Sequence, residues 1–232
     1  MTHEKTERVY DLWSRVYDLT FGTVTRKRQH HALGHLAVQS GDWVLDLGVG
    51  TGLTMALFPA DVHVVGLDRS SGMLLKAASR CRTLQLGHCH LIQADAMRPP
   101  FADASFDRIL ISHTISVVSN PQSVMRWATR LVKPGGRVVV LNHFQSAHRL
   151  LAAVERALNP MCMLAGWRSD LTLEAMLAGT DLQLEYCFQL RTADMWKVVV
   201  LRRPPGRRRT ARRPVAQDAA SRLPAATPAI VG

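Results

Sequence analysis

The chain has 232 residues, 47% of them hydrophobic, a mean hydropathy near zero and a formal charge of +11. That length suits one domain of ordinary size plus a tail, with a core that needs no covalent staples. No apolar run approaches the roughly 20 residues that span a bilayer, Met1–Arg8 is too polar for a secretory leader, and four scattered cysteines without a C-x-x-C pair read as reduced thiols of a cytoplasmic protein.

Residues 4–21 place Val9, Tyr10, Trp13, Val16, Tyr17, Leu19 and Phe21 at helical spacing, with Tyr10, Trp13 and Tyr17 on one face. A second helical stretch, about 24–38, begins with the basic run Arg26, Lys27 and Arg28. We read residues 1–40 as an N-terminal helical cap. Short apolar runs then alternate with helical segments: Trp43–Leu47, Val62–Leu67, His90–Ala94, Arg108–Ser112 and Arg137–Leu141. Strands alternating with helices predict βαβ units and a parallel sheet, whose buried strands read as nearly continuous apolar runs. Pro134-Gly135-Gly136 punctuates the start of the fifth strand. Leu182–Leu190 and Met195–Leu201 look like a closing hairpin, so the core is expected over 41–201.

Composition breaks sharply at Arg202. From there eight arginines face one acid, Asp218, among Pro and Ala, so residues 202–232 are expected to be a disordered, solvated arm. Such an arm is attracted to anionic lipid headgroups at about 1 kcal/mol per basic residue; nucleic acid would attract it too, as the lesser expectation. His88, Cys89 and His90 superficially suggest a metal site. Neighbours on a strand point to opposite faces and no second ligand cluster appears, so no metal is expected.

The chemistry sits in Val44-Leu45-Asp46-Leu47-Gly48-Val49-Gly50-Thr51-Gly52-Leu53, an apolar strand running into a glycine-rich turn. Glycines there let backbone N–H groups approach a ligand closely. Dinucleotide-binding turns read G-x-G-x-x-G; this one reads G-x-G-x-G with Asp46 just ahead of it. A carboxylate facing the turn repels a pyrophosphate but suits a cationic amino-acid moiety, so the favoured ligand is S-adenosylmethionine, held by Asp46, Gly48, Gly50, Thr51 and Gly52. Asp68, ending the next strand, is positioned to accept from both ribose hydroxyls. Met73, in a serine-capped helix start, is available to the adenine. Asp95, ending the third strand, would accept from its amino group, with Ala96 offering backbone contact. Three acids at successive carboxyl ends of strands point to one site.

These residues resemble the class I S-adenosylmethionine-dependent methyltransferases over about residues 7–201. The resemblance implies a Rossmann-like α/β fold: a seven-stranded, mostly parallel sheet with helices on both faces and only the last hairpin strand antiparallel. The chain looks most like the small bacterial phosphatidylethanolamine N-methyltransferases. The similarity lies in Val9-Tyr10-Asp11-Leu12-Trp13-Ser14-Arg15-Val16-Tyr17-Asp18, the glycine turn, Val140-Leu141-Asn142-His143-Phe144 and Gly166-Trp167-Arg168-Ser169-Asp170. The first two stretches are shared with quinone-biosynthesis C-methyltransferases; the last two favour a lipid amine. Ser112-His113-Thr114-Ile115-Ser116 departs from the family pattern, which leaves the headgroup open between phosphatidylethanolamine and an aminolipid such as ornithine lipid.

Methyl transfer to nitrogen needs a neutral amine, and lipid amines are protonated at pH 7. His113 is the first candidate base, because imidazole titrates near neutrality; otherwise it is a polar residue closing a strand. His143 has the same two readings, with the resemblance tilting it toward the headgroup. Tyr17, with Tyr10 and Trp13, either holds a methylated ammonium by cation–π attraction or packs an aromatic stripe on the sheet. Arg168 and Arg15 either bind a lipid phosphate or pair with nearby acids. The apolar connection 145–167 reads as a buried helix or as a lid admitting lipid tails. The leading expectation is therefore an N-methyltransferase of a membrane aminolipid, bound peripherally at the cytoplasmic face. Its competitors are a C- or O-methyltransferase of an isoprenoid quinone or other apolar small molecule and an RNA-binding module using the basic tail.

Overall fold

A computed structural model describes residues 23–146, 148–164, 167–190 and 196–205. The elements are α1 (Thr23–Leu36), β1 (Trp43–Leu47), a 3-10 turn (Met55–Leu57), β2 (His63–Asp68), α2 (Ser71–Thr83), β3 (Cys89–Gln93), β4 (Phe106–Ser112), α3 (Pro121–Leu131), β5 (Val132–His143), α4 (Arg149–Leu164), α5 (Leu173–Leu177), β6 (Gln183–Phe188) and β7 (Trp196–Arg202). The seven strands form one sheet in the order β3-β2-β1-β4-β5-β7-β6. β1 to β5 pair in parallel, and β7 runs antiparallel to both neighbours. This is the Rossmann-like α/β arrangement implied by the sequence.

Strand pleating sorts the side chains into two cores. Leu45, Leu47, Ile109, Ile111, Val138 and Val140 point one way, onto Val124, Met125 and Ala128 of α3 and Met176 of α5. Val44, Val64, Leu110, Val139 and Leu141 point the other way, onto Ala32, Leu33 and Leu36 of α1. Covering both faces is what allows the strands to be apolar throughout. Each such buried side chain stabilises the fold by roughly 1.5–3 kcal/mol relative to exposure. Caps set the helix starts: the Asn120 side chain accepts from Ser123 N–H at 2.9 Å ahead of Pro121, and Ser70 Oγ accepts from Met73 N–H at 3.2 Å.

Two details differ from the sequence reading. β5 begins at Val132, so Pro134-Gly135-Gly136 lies within the strand rather than before it. The pairing with β4 shifts register between Phe106 and Arg108, an irregularity that accommodates a proline with no N–H to donate. β3 ends at Gln93, so Asp95 and Ala96 lie just beyond the strand. No helix among the described residues is long and apolar enough to cross a membrane.

Candidate active site

The glycine turn folds back over the carboxyl end of β2: Gly48 N–H and Val49 N–H both donate to the Leu67 carbonyl, at 2.7 and 3.0 Å. Gly48 has φ +87°, and a Cβ there would overlap the Thr114 side chain behind it. Gly50, at φ +55°, has nothing within 4 Å of where a Cβ would stand. Two residues brace the turn. Asp68 accepts Gly50 N–H at 2.8 Å on one oxygen and Ser70 N–H at 2.9 Å on the other. The Arg80 guanidinium on α2 donates to the Thr51 carbonyl and, at 3.4 Å, to its hydroxyl.

Asp46 shares the pleat direction of Val44, toward α1, and is 1% exposed. The Thr54 hydroxyl donates to it. Burial pushes its pKa up to about 7, with the Thr54 bond opposing and the nearby Asp68 reinforcing the shift. Asp68 is also held above the ordinary carboxylate range by burial, against the pull of the Ser70 and Gly50 N–H groups. A buried carboxylate with so raised a pKa is stabilised as an anion by an incoming cation.

Asp46 opens into a cleft that Gly48, Gly50, Thr51 and His113 also line. Five of the residues singled out from sequence thus meet at one place. Asp68 touches it through Gly50; Met73 is buried at the start of α2 and Ala96 beside the β3 end; Asp95 accepts Met97 N–H at 2.8 Å; and Gly52, at φ +75°, closes the turn. Three further cleft residues escaped the sequence reading: Gln29 of α1, Ser112 at the end of β4, and Thr54. Gln29 Oε1 and Ser112 Oγ are buried without a hydrogen-bond partner among the described residues. They are acceptors for a ligand that brings its own N–H donors. Among the described residues no lysine or arginine lines the cleft, so a diphosphate would meet Asp46 with no counter-charge. The donor set fits S-adenosylmethionine.

The comparisons agree. Residues 45–140 match the family model described as a methyltransferase domain. A phosphatidylethanolamine N-methyltransferase of Cereibacter sphaeroides is 35% identical over 185 residues, covering 79% of this chain and 90% of that protein. The chain belongs to the class I S-adenosylmethionine-dependent methyltransferases. A demethylmenaquinone methyltransferase of Bacillus cereus is 33% identical over 156 residues, covering 62% of this chain and 66% of that protein. Among solved structures, the cyclase SpnF superposes with a TM-score of 0.73 at 19% identity, over 89% of this chain and 98% of that one. At that identity the likeness shows the fold alone.

The methyltransferase keeps His113 at φ +59°, its N–H donating to the Leu141 carbonyl at 2.8 Å. Its ring meets Trp196 edge-on at 6.2 Å, and the Arg28 guanidinium lies 4.4 Å above that same indole. Burial first, and then Arg28, lower the imidazole pKa to about 4. His113 is therefore neutral at pH 7 and too weak a base to strip a lipid ammonium, which corrects the expectation that it titrates near neutrality. It remains suited to accept a hydrogen bond. His143 does not line the cleft: it is buried against Trp167, rings 5.7 Å apart and perpendicular, with Nε2 3.7 Å from Glu155 Oε1. Arg168 forks onto Asp170 at 3.0 and 3.3 Å, so the pairing alternative is the one realised. Tyr10, Trp13, Arg15 and Tyr17 lie outside the described residues.

Proposed function

We propose that this methyltransferase acts on the amine headgroup of a membrane lipid, phosphatidylethanolamine or a related aminolipid such as ornithine lipid, at the inner face of the membrane. The observation that carries this reading is the near full-length kinship to a protein named for that reaction. A second reading, C-methylation of an isoprenoid quinone, is favoured by the shorter kinship to the demethylmenaquinone enzyme.

When bound, S-adenosylmethionine supplies an electrophilic methyl group on a sulfonium sulfur. The chain's own groups bind and align. Asp46, Gln29 and Ser112 present acceptors to the amino-acid end, and Asp68 takes the ribose. Met73, Asp95 and Ala96 frame the base. His113, held neutral, accepts a hydrogen bond from an N–H of the entering amine and so fixes its direction. Tyr10, Trp13 and Tyr17, outside the described residues, are the candidates from sequence for holding the cation that successive transfers produce, an attraction of roughly 1–2 kcal/mol when desolvated.

The test supplies purified full-length protein and the methyl donor with, separately, phosphatidylethanolamine vesicles, ornithine-lipid vesicles and detergent-dispersed demethylmenaquinone, and follows products by mass spectrometry. Mono-, di- or trimethylated aminolipid is the expected product. Methylation of the quinone with aminolipids untouched would replace this reading by the second.

A further inference from the structure

Helix α4 is built inside out for a protein surface in water. Its polar residues Glu155 and Asn159 turn inward. Glu155 accepts Ser146 N–H at 2.7 Å on its carboxylate and the Ser169 hydroxyl at 2.8 Å on its carbonyl, while Asn159 Oδ1 accepts Ser169 N–H at 3.0 Å. Leu150, at 73% exposure, Leu151, Val154, Leu158, Met161, at 68%, and Met163 turn outward. Of the eleven large apolar side chains exposed among the described residues, six belong to this one helix. Scattered surface leucines need no explanation, but a continuous apolar stripe on a helix that turns its Glu155 and Asn159 inward marks a surface that another apolar phase covers.

We propose that α4 is a docking helix that lies in the interface of an anionic bilayer. Charge selects this occupant: Arg149 and Arg156 flank the stripe, both exposed, the helix's one acid is turned inward, and the chain as a whole carries +11. A basic-edged apolar helix sinks its stripe to about the headgroup–acyl boundary. Position makes docking useful. α4 follows directly from the carboxyl end of β5, where Asn142 Oδ1 accepts the Ser116 hydroxyl at 3.2 Å, and the chain leaving it returns through Arg168 N–H to the Ser116 carbonyl at 2.8 Å. Ser116 follows His113 on the β4 exit, so a membrane under α4 lies beside the cleft where headgroups are read. The choice of a bilayer over a protein partner rests in part on the lipid reading above.

The experiment measures partition of the full-length protein onto vesicles of phosphatidylglycerol and phosphatidylcholine that contain no amine lipid, so docking is scored without catalysis. Work at 0.5 M salt suppresses the attraction of the arginine-rich tail, the Debye length having fallen to roughly 4 Å. The triple variant Leu150→Gln, Leu158→Gln, Met161→Gln is expected to lower the partition coefficient on the order of 1,000-fold, about tenfold per apolar side chain withdrawn. It should retain cofactor affinity, and its turnover of detergent-dispersed aminolipid should stay within about twofold. Equal partition of the variant and the parent overturns the proposal. So does a parent that sediments as a dimer while the variant is monomeric and neither binds vesicles, which would assign the stripe to a second copy. Vesicle docking without methylation of any aminolipid would leave α4 a membrane helix and remove the lipid-amine reading alone.

Discussion

Replacing Asp46 with Asn should make the protein more stable and unable to work. The wild-type carboxyl titrates at about 7 in the folded chain rather than at 3.8, chiefly because it is buried. A raised carboxylate pKa means that ionisation opposes folding. The penalty is absent below pH 3.8, accumulates as pH rises, and is complete above about 7. At 1.36 kcal/mol per unit, that shift corresponds to a ceiling of about 4 kcal/mol. Asparagine keeps the shape and can still accept from Thr54, yet carries no charge. In urea or thermal melts without cofactor, the variant's advantage should therefore be small near pH 4, grow through pH 5–7 and level off above. At the ceiling the gain is on the order of 10 °C in Tm for a domain of this size. Calorimetry supplies the other half. A cationic ligand binds the ionised carboxyl, so wild-type affinity for S-adenosylmethionine should fall about fivefold from pH 7 to pH 6 as the group protonates, and the variant should bind at least 100-fold more weakly at pH 8. An apo variant less stable than wild type at pH 8, or one that binds the methyl donor normally, refutes the argument.

Two further outcomes follow from the cleft. Gln29→Leu removes a buried acceptor that has no partner among the described residues; it should stabilise the apo protein by about 1 kcal/mol while weakening cofactor affinity about tenfold or more, the worth of one hydrogen bond to a charged group. Unchanged affinity by calorimetry would move Gln29 out of the site. His113→Asn should slow turnover about tenfold with cofactor affinity held within about twofold. Because the imidazole titrates at about 4, the wild-type rate between pH 6 and 9 should carry no inflection from it, and an inflection near 6.5 that vanishes in the variant would restore it as a base.

Much of this was legible in the chain because the informative residues are local. VVVL at 138–141 is buried on both faces of the sheet and announces itself by composition. The glycine turn and Asp46 sit in one short stretch whose chemistry needs no partner from elsewhere. Gln29 was not legible: it shares the inward face of α1 with Ala32, Leu33 and Leu36, and no hydropathy period distinguishes a polar residue turned into a cleft from one turned to water. Nor was Arg168, whose choice of Asp170 is decided by backbone geometry. The lowering of the His113 pKa by Arg28 joins residues far apart in sequence. α4 kept two readings in the sequence, a buried helix or a lid admitting lipid tails, because apolar residues at helical spacing do not tell which side faces in; the hydrogen bonds of Glu155 and Asn159 decide that.

The position of β7 between β5 and β6 bears on how the molecule is made. During synthesis β5 is finished at His143, but the strand that must lie against it ends only at Arg202, about 60 residues later. At roughly 5–20 residues per second the ribosome takes on the order of 3–12 s to deliver it. For that interval the nascent sheet offers a bare row of N–H and C=O groups along Val138–Leu141, flanked by apolar side chains that pair readily with another strand. A chaperone that engages this enzyme would therefore be expected to arrive after β5 emerges and to leave when the C-terminal hairpin closes the gap.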